Sequence, residues 1–369
     1  MIHKISLFSF FSGAGILDLA FERCDYEIVF VNEFDERFLE AYKYSRKMLN
    51  IAEPIYGYNN CSAEKYAKGR GKRKLIQWIN EERHKGNLVG FIGGPPCPDF
   101  SVAGKNAGST GQNGRLTKTY FDLVCRCKPD FFLFENVKGL VRTEKHKAFY
   151  YEMQRKVKAN NYVISDRLLN ALDYGVPQFR ERIFMVGILN SLISNTNKDD
   201  TLLNFNWSKY RIYDTERVLT YQWPNTDDYI ENSLRPFIYN VPKCLTVEYW
   251  FQLNDVISHP NERDIFSVKR SQKFSSIMEG DTKGKSFKRL HRWRFSPTAA
   301  YGHNEVHLHP YKARRISVAE AMAIQSLPKE FVLPPHSSLS SKFKMVGNGV
   351  PYLMAEAIAE TLKDYLIEI

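Results

Sequence analysis

Four residues in this 369-residue chain could act together on one substrate. Cys97 lies in Gly93-Gly94-Pro95-Pro96-Cys97-Pro98-Asp99-Phe100-Ser101, directly after the apolar run Leu88 to Ile92. A short apolar run bounded by glycine suits a buried strand. The two prolines after it fix the backbone, because proline locks φ and removes a donor. A thiol aimed from the carboxyl end of a strand stands where open α/β sheets bind ligands, which makes Cys97 a candidate nucleophile. An isolated cysteine is more often a buried packing residue, but the neighbours of this one weigh against that. A second apolar run, Asp130 to Val137, delivers Glu135 at its carboxyl end. A third, Arg182 to Ile188, is preceded by Pro177-Gln178-Phe179-Arg180-Glu181-Arg182. Arg180 and Arg182, two apart in an extended chain, point the same way, toward one anion or one carbonyl. Nucleophile, acid and guanidinium pair form a catalytic set.

The elements that must hold these groups read as an α/β fold with a mostly parallel, Rossmann-like sheet. Ile5 to Phe10 is a strand, Gly13 and Gly15 turn the chain tightly, and Leu17 to Phe21 begins a helix. Glycines there let the backbone approach a bound cofactor closely. A second strand, Glu27 to Asn32, ends in Glu33, placed to accept hydrogen bonds from both hydroxyls of a ribose. The dinucleotide fingerprint is incomplete, because Asp18 stands where its third glycine would fall. That argues for a nucleoside ligand without a pyrophosphate.

The order and spacing of these segments resemble the DNA (cytosine-5) methyltransferases of bacterial restriction-modification systems. Phe11-Ser12-Gly13-Ala14-Gly15 is similar to that family's first motif, Gly94-Pro95-Pro96-Cys97 to its nucleophile motif and Glu135-Asn136-Val137 to its acid motif. Gln178-x-Arg180-x-Arg182 resembles the arginine motif. Arg314 to Pro328, with Glu320 and Gln325, resembles the late helix, and Gly347-Asn348-Gly349-Val350-Pro351 the last motif. The resemblance covers nearly all of the chain except about 191–300. It implies S-adenosylmethionine as cofactor, held by Phe11, Ser12, Gly13, Ala14, Gly15, Glu33, Phe34, Pro95, Asn348, Gly349 and Val350. It also implies double-stranded DNA as substrate, with a cognate restriction endonuclease acting on the same site as a candidate partner. Two departures stand out. Pro98 and Asp99 follow the cysteine where many members carry Gln and a small residue. Asn59-Asn60-Cys61 replaces the adenine-binding Asp-Ile pair.

The implied chemistry comes from what cytosine C5 demands. Cys97 as thiolate adds to C6, and Glu135, protonated, donates to N3 as negative charge develops. Arg180 is expected to hold the base carbonyl, with Arg182 beside it. The resulting enamine's C5 attacks the sulfonium methyl; a base then removes the C5 proton, and Cys97 leaves. C6 is buried in a stacked duplex, so the cytosine must be flipped into the pocket.

Composition bounds the rest. A net charge of +11 suits an anionic partner, nucleic acid ahead of membrane. No stretch of 18 apolar residues suggests a membrane span, and Asp18 interrupts the N-terminal apolar stretch that could pass for a signal peptide. The six cysteines (Cys24, Cys61, Cys97, Cys125, Cys127 and Cys244) form no disulfide-dense framework, which fits a reducing cytoplasm. Residues 102–118, with Gly104, Gly108, Gly111, Gly114, Lys105, Arg115 and Lys118, read as a flexible cationic lid. His303, His307 and His309 have a metal-like spacing. Their alternation with apolar residues instead suits an exposed strand face, and no metal is expected. After about residue 190 the strand–helix alternation stops, and Trp207, Trp223, Trp250, Trp293 and a basic run from Lys283 to Arg294 appear. The expected division is a cofactor-binding catalytic domain, 1–190 plus 336–369, and a small domain, 191–335, with the DNA target recognition region. The same catalytic motifs occur in tRNA cytosine-5 methyltransferases, but the roughly 110 residues between the arginine motif and the late helix favour DNA.

Overall fold

The computed structural model describes residues 4–96, 112–193, 204–267, 272–284, 287–299, 301 and 307–368. Seven strands form one sheet in the order β3-β2-β1-β4-β5-β7-β6. They are β1 (Ile5–Phe10), β2 (Glu27–Glu33), β3 (Tyr58–Asn60), β4 (Leu88–Gly93), β5 (Phe131–Val137), β6 (Tyr162–Asn170) and β7 (Glu181–Leu189). The pairs from β3 through β5 are parallel, whereas β7 runs antiparallel to both β5 and β6. The expected mostly parallel α/β sheet is therefore present. Its one reversed strand matters for the site, because β7 begins at the rim where β5 ends.

Alternating residues divide between two buried faces, as strand geometry requires. Phe8, Phe10, Phe30, Phe91, Phe132 and Phe134 point to one side. They pack on α3 (Gly69–His84), α4 (Gln112–Cys127) and α5 (Glu144–Lys158). Leu7, Val31, Ile92, Leu133 and Val186 point to the other. There they meet α1 (Ile16–Arg23), α2 (Glu36–Met48) and, at the far end of the chain, α11 (Tyr352–Glu368). Both chain ends thus share one layer. The Tyr26 hydroxyl donates to the Ala359 carbonyl at 2.9 Å, fixing α11 beside the turn after α1.

Between β7 and α11 the chain carries short elements: α6 (Thr215–Leu219), α7 (Val247–Leu253), α8 (Lys273–Ser276) and the parallel pair β8 (Lys288–Arg289) with β9 (His307–Leu308). Two further helices, α9 (Val318–Ile324) and α10 (Leu339–Asn348), precede α11. Ser317 and Glu320 form a capping box at the start of α9. The loss of regular alternation after residue 190 is real. The core nevertheless runs on without a break: Trp207, Trp250, Leu290, Ile316 and the buried face of α9 belong to the same apolar cluster as Leu7 and Leu362.

Two expectations are corrected. Residues 112–118 are the first turns of α4 and not part of a lid, because Tyr120, Phe121, Leu123 and Val124 give the segment a buried helical face. Arg115 there pairs with Glu64 at 3.0 Å. The remainder of the expected lid lies outside the described residues. His307 and His309 are buried, not exposed. The His307 ring lies edge-on to Tyr301, and burial pushes its imidazole down to about 3, so it is neutral. His309 sits 3.4 Å from Glu320. Arg314 also grips Glu320 at 2.6 and 2.8 Å. Burial opposes ionisation of Glu320, yet His309 and Arg314 together hold its carboxyl well below the usual range. His303 lies outside the described residues. Among the described residues no group of three metal-ligating side chains forms, and no helix is long and apolar enough to cross a membrane.

Leu362 is fully buried on α11. Leu362→Ala should lower unfolding stability by about 2–5 kcal/mol, the range for truncating a core leucine. An unchanged urea midpoint would show that α11 is peripheral to the core.

Candidate active site

The strand ends converge on one rim. At the end of β5, Glu135 is 8% exposed, and Arg182 Nε lies 3.0 Å from its Oε1. The register explains the meeting. Glu135 faces Phe184 and Val137 faces Arg182 across the antiparallel β5–β7 pair, so Arg182 is the diagonal neighbour of Glu135 on the same face. Burial raises the Glu135 carboxyl above the ordinary range, against the pull of Arg182 and then Arg180. A carboxyl held toward its neutral form beside a guanidinium can donate a proton, and the cation then offsets the carboxylate that is left.

The segment leading to Cys97 abuts this pair. Gly94 passes so close that an added Cβ would lie 2.6 Å from Glu135 Oε2, so glycine gives the acid its room. Asn136 Nδ2 donates to the Pro95 carbonyl at 3.3 Å, tying the loop to the strand that bears the acid. Cys97 itself lies outside the described residues. In the sequence Asn136 stands out only as a member of the acid motif. In the fold its amide is what fixes the rigid Pro95-Pro96 segment beside Glu135.

Arg180 behaves differently from its expected role. It is fully buried, and its terminal nitrogens donate to the carbonyls of Ala299 at 3.2 Å, Gly347 at 2.7 Å and Gly349 at 3.0 Å. Burial, with Arg182 nearby, pulls its guanidinium well below its usual value. Gln178, two residues earlier, does similar work: its Oε1 accepts from Ala299 N, and its Nε2 donates to Gln325 Oε1. Gln325 in turn donates to the Val346 carbonyl at 2.8 Å. Both terminal nitrogens of Arg180 are thus engaged by backbone carbonyls, which leaves Arg182 to face the acid.

At the neighbouring strand ends lies a second cradle. Phe11 adopts a left-handed φ of 55°, uncommon for a bulky residue, and Ser12 N donates to the Asn32 carbonyl. Gly15 has φ 78°, and an added Cβ would strike the Tyr42 ring at 2.6 Å. Beneath it Arg46, 1% exposed, donates to the Gly15 carbonyl at 2.7 Å, stacks on Tyr42 and pairs with Glu22. Asp18 accepts from Ser9 in the same buried patch. Asp18 is therefore not merely the residue that interrupts a glycine fingerprint; it helps support the loop from below. Glu33 uses its two oxygens to accept backbone N–H groups, from Gly13 at 2.8 Å and from Asp35 at 2.8 Å. Burial raises its carboxyl despite those bonds. Phe34 beside it is 74% exposed, an aromatic face left open at the rim. Asn60, in the segment where the sequence departs from expectation, donates its amide to the Glu33 and Phe34 carbonyls at 3.0 Å each. Gly349, directly after α10, packs against Ile16 at the start of α1, where an added Cβ would meet Ile16 Cδ1 at 2.5 Å.

The model of the C-5 cytosine-specific DNA methylase family matches residues 5–364. Over 364 residues the chain is 51% identical to the type II methyltransferase M.NmeDI of Neisseria meningitidis serogroup C, covering 98% of this chain and 84% of that protein. It is 30% identical to the type II methyltransferase M.FnuDI of Fusobacterium nucleatum, covering 98% and 96%. A solved E. coli structure, described as a putative DNA modification methyltransferase encoded within a prophage, superposes with a TM-score of 0.65 at 21% identity, covering 99% and 100%. At that identity it supports the fold alone.

Replacing Arg182 with Gln removes the nearest cation from Glu135, so the Glu135 carboxyl should stay protonated to higher pH than in the wild type. The carboxyl stretching band in an infrared difference titration reads this directly. A midpoint that did not move upward would show that Arg182 does not set the ionisation of Glu135.

Proposed function

This chain belongs to the C-5 cytosine-specific DNA methylase family and is a DNA cytosine-5 methyltransferase, and on that premise we propose how its residues divide the work. The glycine loop from Phe11 to Gly15, Glu33, Phe34, Pro95 and the Asn348-Gly349-Val350 turn hold S-adenosylmethionine. The fit rests on the cradle: a turn closed to any Cβ at Gly15, a carboxylate at the end of β2 and an exposed ring at Phe34. Bound there, the cofactor supplies an electrophilic methyl group. Glu33 already anchors Gly13 and Asp35, and its remaining lone pairs can accept from ribose hydroxyls.

Cys97 adds as thiolate to C6 of a cytosine flipped out of the duplex. Glu135 donates its proton to N3, and Arg182 stays beside it to hold the base and offset charge. The ring is then electron-rich at C5. Transfer would break the cofactor's sulfonium–methyl bond as the C5–methyl bond forms, leaving S-adenosylhomocysteine. A base or water would then take the C5 proton, N3 would return its proton to Glu135, and Cys97 would leave C6 as thiolate. Arg180 acts as a positioning residue, since its donors fix the Ala299 and Gly347–Gly349 backbone. The observation that carries this reading is the buried Glu135–Arg182 pair abutting the Gly94–Pro96 approach to Cys97. Residues 1–190 with 336–369 carry cofactor and chemistry, and 191–335 carry the DNA recognition region. A cognate endonuclease and a cytoplasmic location fit a restriction-modification enzyme.

Methyl transfer from labelled S-adenosylmethionine should appear on duplex DNA and not on tRNA. Cys97→Ser should remove it while leaving cofactor affinity within about twofold. Transfer to tRNA alone would overturn the substrate. A Cys97→Ser protein keeping a tenth of the wild-type single-turnover rate would overturn the nucleophile.

A further inference from the structure

The strand that delivers Arg180 and Arg182 is joined, just upstream, to a segment that ends the basic run. Gln178 pairs with Ser296 in an isolated parallel bridge. Phe179 N donates to the Ser296 carbonyl at 2.9 Å, and Ser296 N to the Pro177 carbonyl at 2.8 Å. Thr298 Oγ1 closes on the Phe179 carbonyl at 2.7 Å. Against this seam lies a cavity of about 370 Å³, walled by Phe179, Phe295, Lys288, His291, Arg294 and Thr298.

Charge accounting singles out two of these residues. Arg292 grips Glu279 through Nε and Nη2 and also bonds Ser233. Arg235 pairs with Asp227 at 2.7 Å, and Arg289 is taken up by the carbonyls of Phe274, Ile277, His309 and Lys312. His291 is fixed as well: its Nδ1 accepts from Trp293 N, and its Nε2 donates to Asp227. Glu279 and Asp227 are thereby used, and Asp281 beside the cavity accepts the Lys283 backbone N–H. Arg294 has no carboxylate or carbonyl on its guanidinium among the described residues, and neither has Lys288 on its ammonium. The backbone of Arg294 is pinned on both sides, by His291 O on its N–H and by Val247 N on its carbonyl. Burial alone pulls its guanidinium below the usual value. A half-buried, rigidly mounted cation without an acceptor is a costly arrangement unless a ligand supplies one.

In duplex DNA two groups could fill that place, a phosphate or the O6/N7 edge of guanine, and the arginine fork matches both. The setting favours the base. Arg294 lies in a recess with two phenylalanines, whereas phosphates run along the outside of the duplex and suit exposed cations. Phe179 is three residues from Arg182, so the recess lies within about 10 Å along the chain of the reactive pair, or about three base steps. We propose that Arg294, assisted by Lys288, reads a guanine of the recognition sequence beside the target cytosine. This inference rests on the DNA methyltransferase reading.

The test expresses the full chain, Arg294→Ala and Arg294→Lys in cells without cytosine methylation of their own, with bisulfite sequencing of the genome. Cofactor binding by calorimetry reports that each variant is folded. Arg294→Ala should make one guanine position of the methylated site degenerate, with discrimination there falling about ten- to a hundredfold, while cofactor affinity is kept. Arg294→Lys should recover part of the preference, which keeps the proposal testable if the alanine variant does not fold. Methylation of the same sites with unchanged preference at every position would overturn it. So would a uniform loss over all sequences with a salt slope smaller by about one, the signature of a phosphate contact. Absence of any cytosine methylation by the unaltered protein would instead strike the parent reading.

Discussion

A carboxyl withdrawn from water and paired with the Arg182 guanidinium is the constraint on which this structure turns. Glu135 could be buried as an ion only with a partner, because an unpaired charge in the interior is too costly. Arg182 provides the partner, yet burial still holds Glu135 above its ordinary range. Burial thus favours the protonated form from which a general acid donates. Only a reversed strand allows this. In an all-parallel sheet the start of β7 would lie at the opposite rim, far from the end of β5.

The rest of the rim is held by bonds to backbone. Gln178 and Arg180 reach from the start of β7 to Ala299, Gly347 and Gly349. Through Gln325 the same network reaches Val346. One buried cluster of donors therefore sets the position of the last motif against the start of β7 and against Gln325. Under the glycine loop, Arg46 does comparable work on Gly15. Neither arginine need touch substrate to matter: a displaced carbonyl would shift the turn that it belongs to. Loss of Arg180 also removes the donor from three carbonyls, those of Ala299, Gly347 and Gly349.

The sequence made the strands and their order legible, because apolar runs punctuated by glycine and proline mark both ends of a buried strand. Glu135 and Arg182 could be placed together because both stand at strand ends. What escaped was long-range partnership. Arg180 and Arg182 look equivalent two residues apart, but the acceptors of Arg180 lie more than a hundred residues downstream. His307 and His309 looked like an exposed face because Glu320 and Tyr301, which surround them, are not their alternating neighbours. The glycines of 104–114 suggested a loop up to residue 118, whereas the helical face that ends it is set by residues 120–124 packing under the sheet. The support of the glycine loop by Arg46 and Tyr42 leaves no local signature at all.

The central claim is that the rim bearing Glu135 is where Cys97 attacks cytosine. Duplex DNA with 5-fluorocytosine at the methylated position tests it, because fluorine cannot leave C5 as a cation and the adduct should persist. With S-adenosylmethionine present, mass mapping of the denatured complex should find the nucleotide on the peptide that carries Cys97. Attachment to another cysteine, or no adduct under conditions where ordinary cytosine is methylated, would contradict the account.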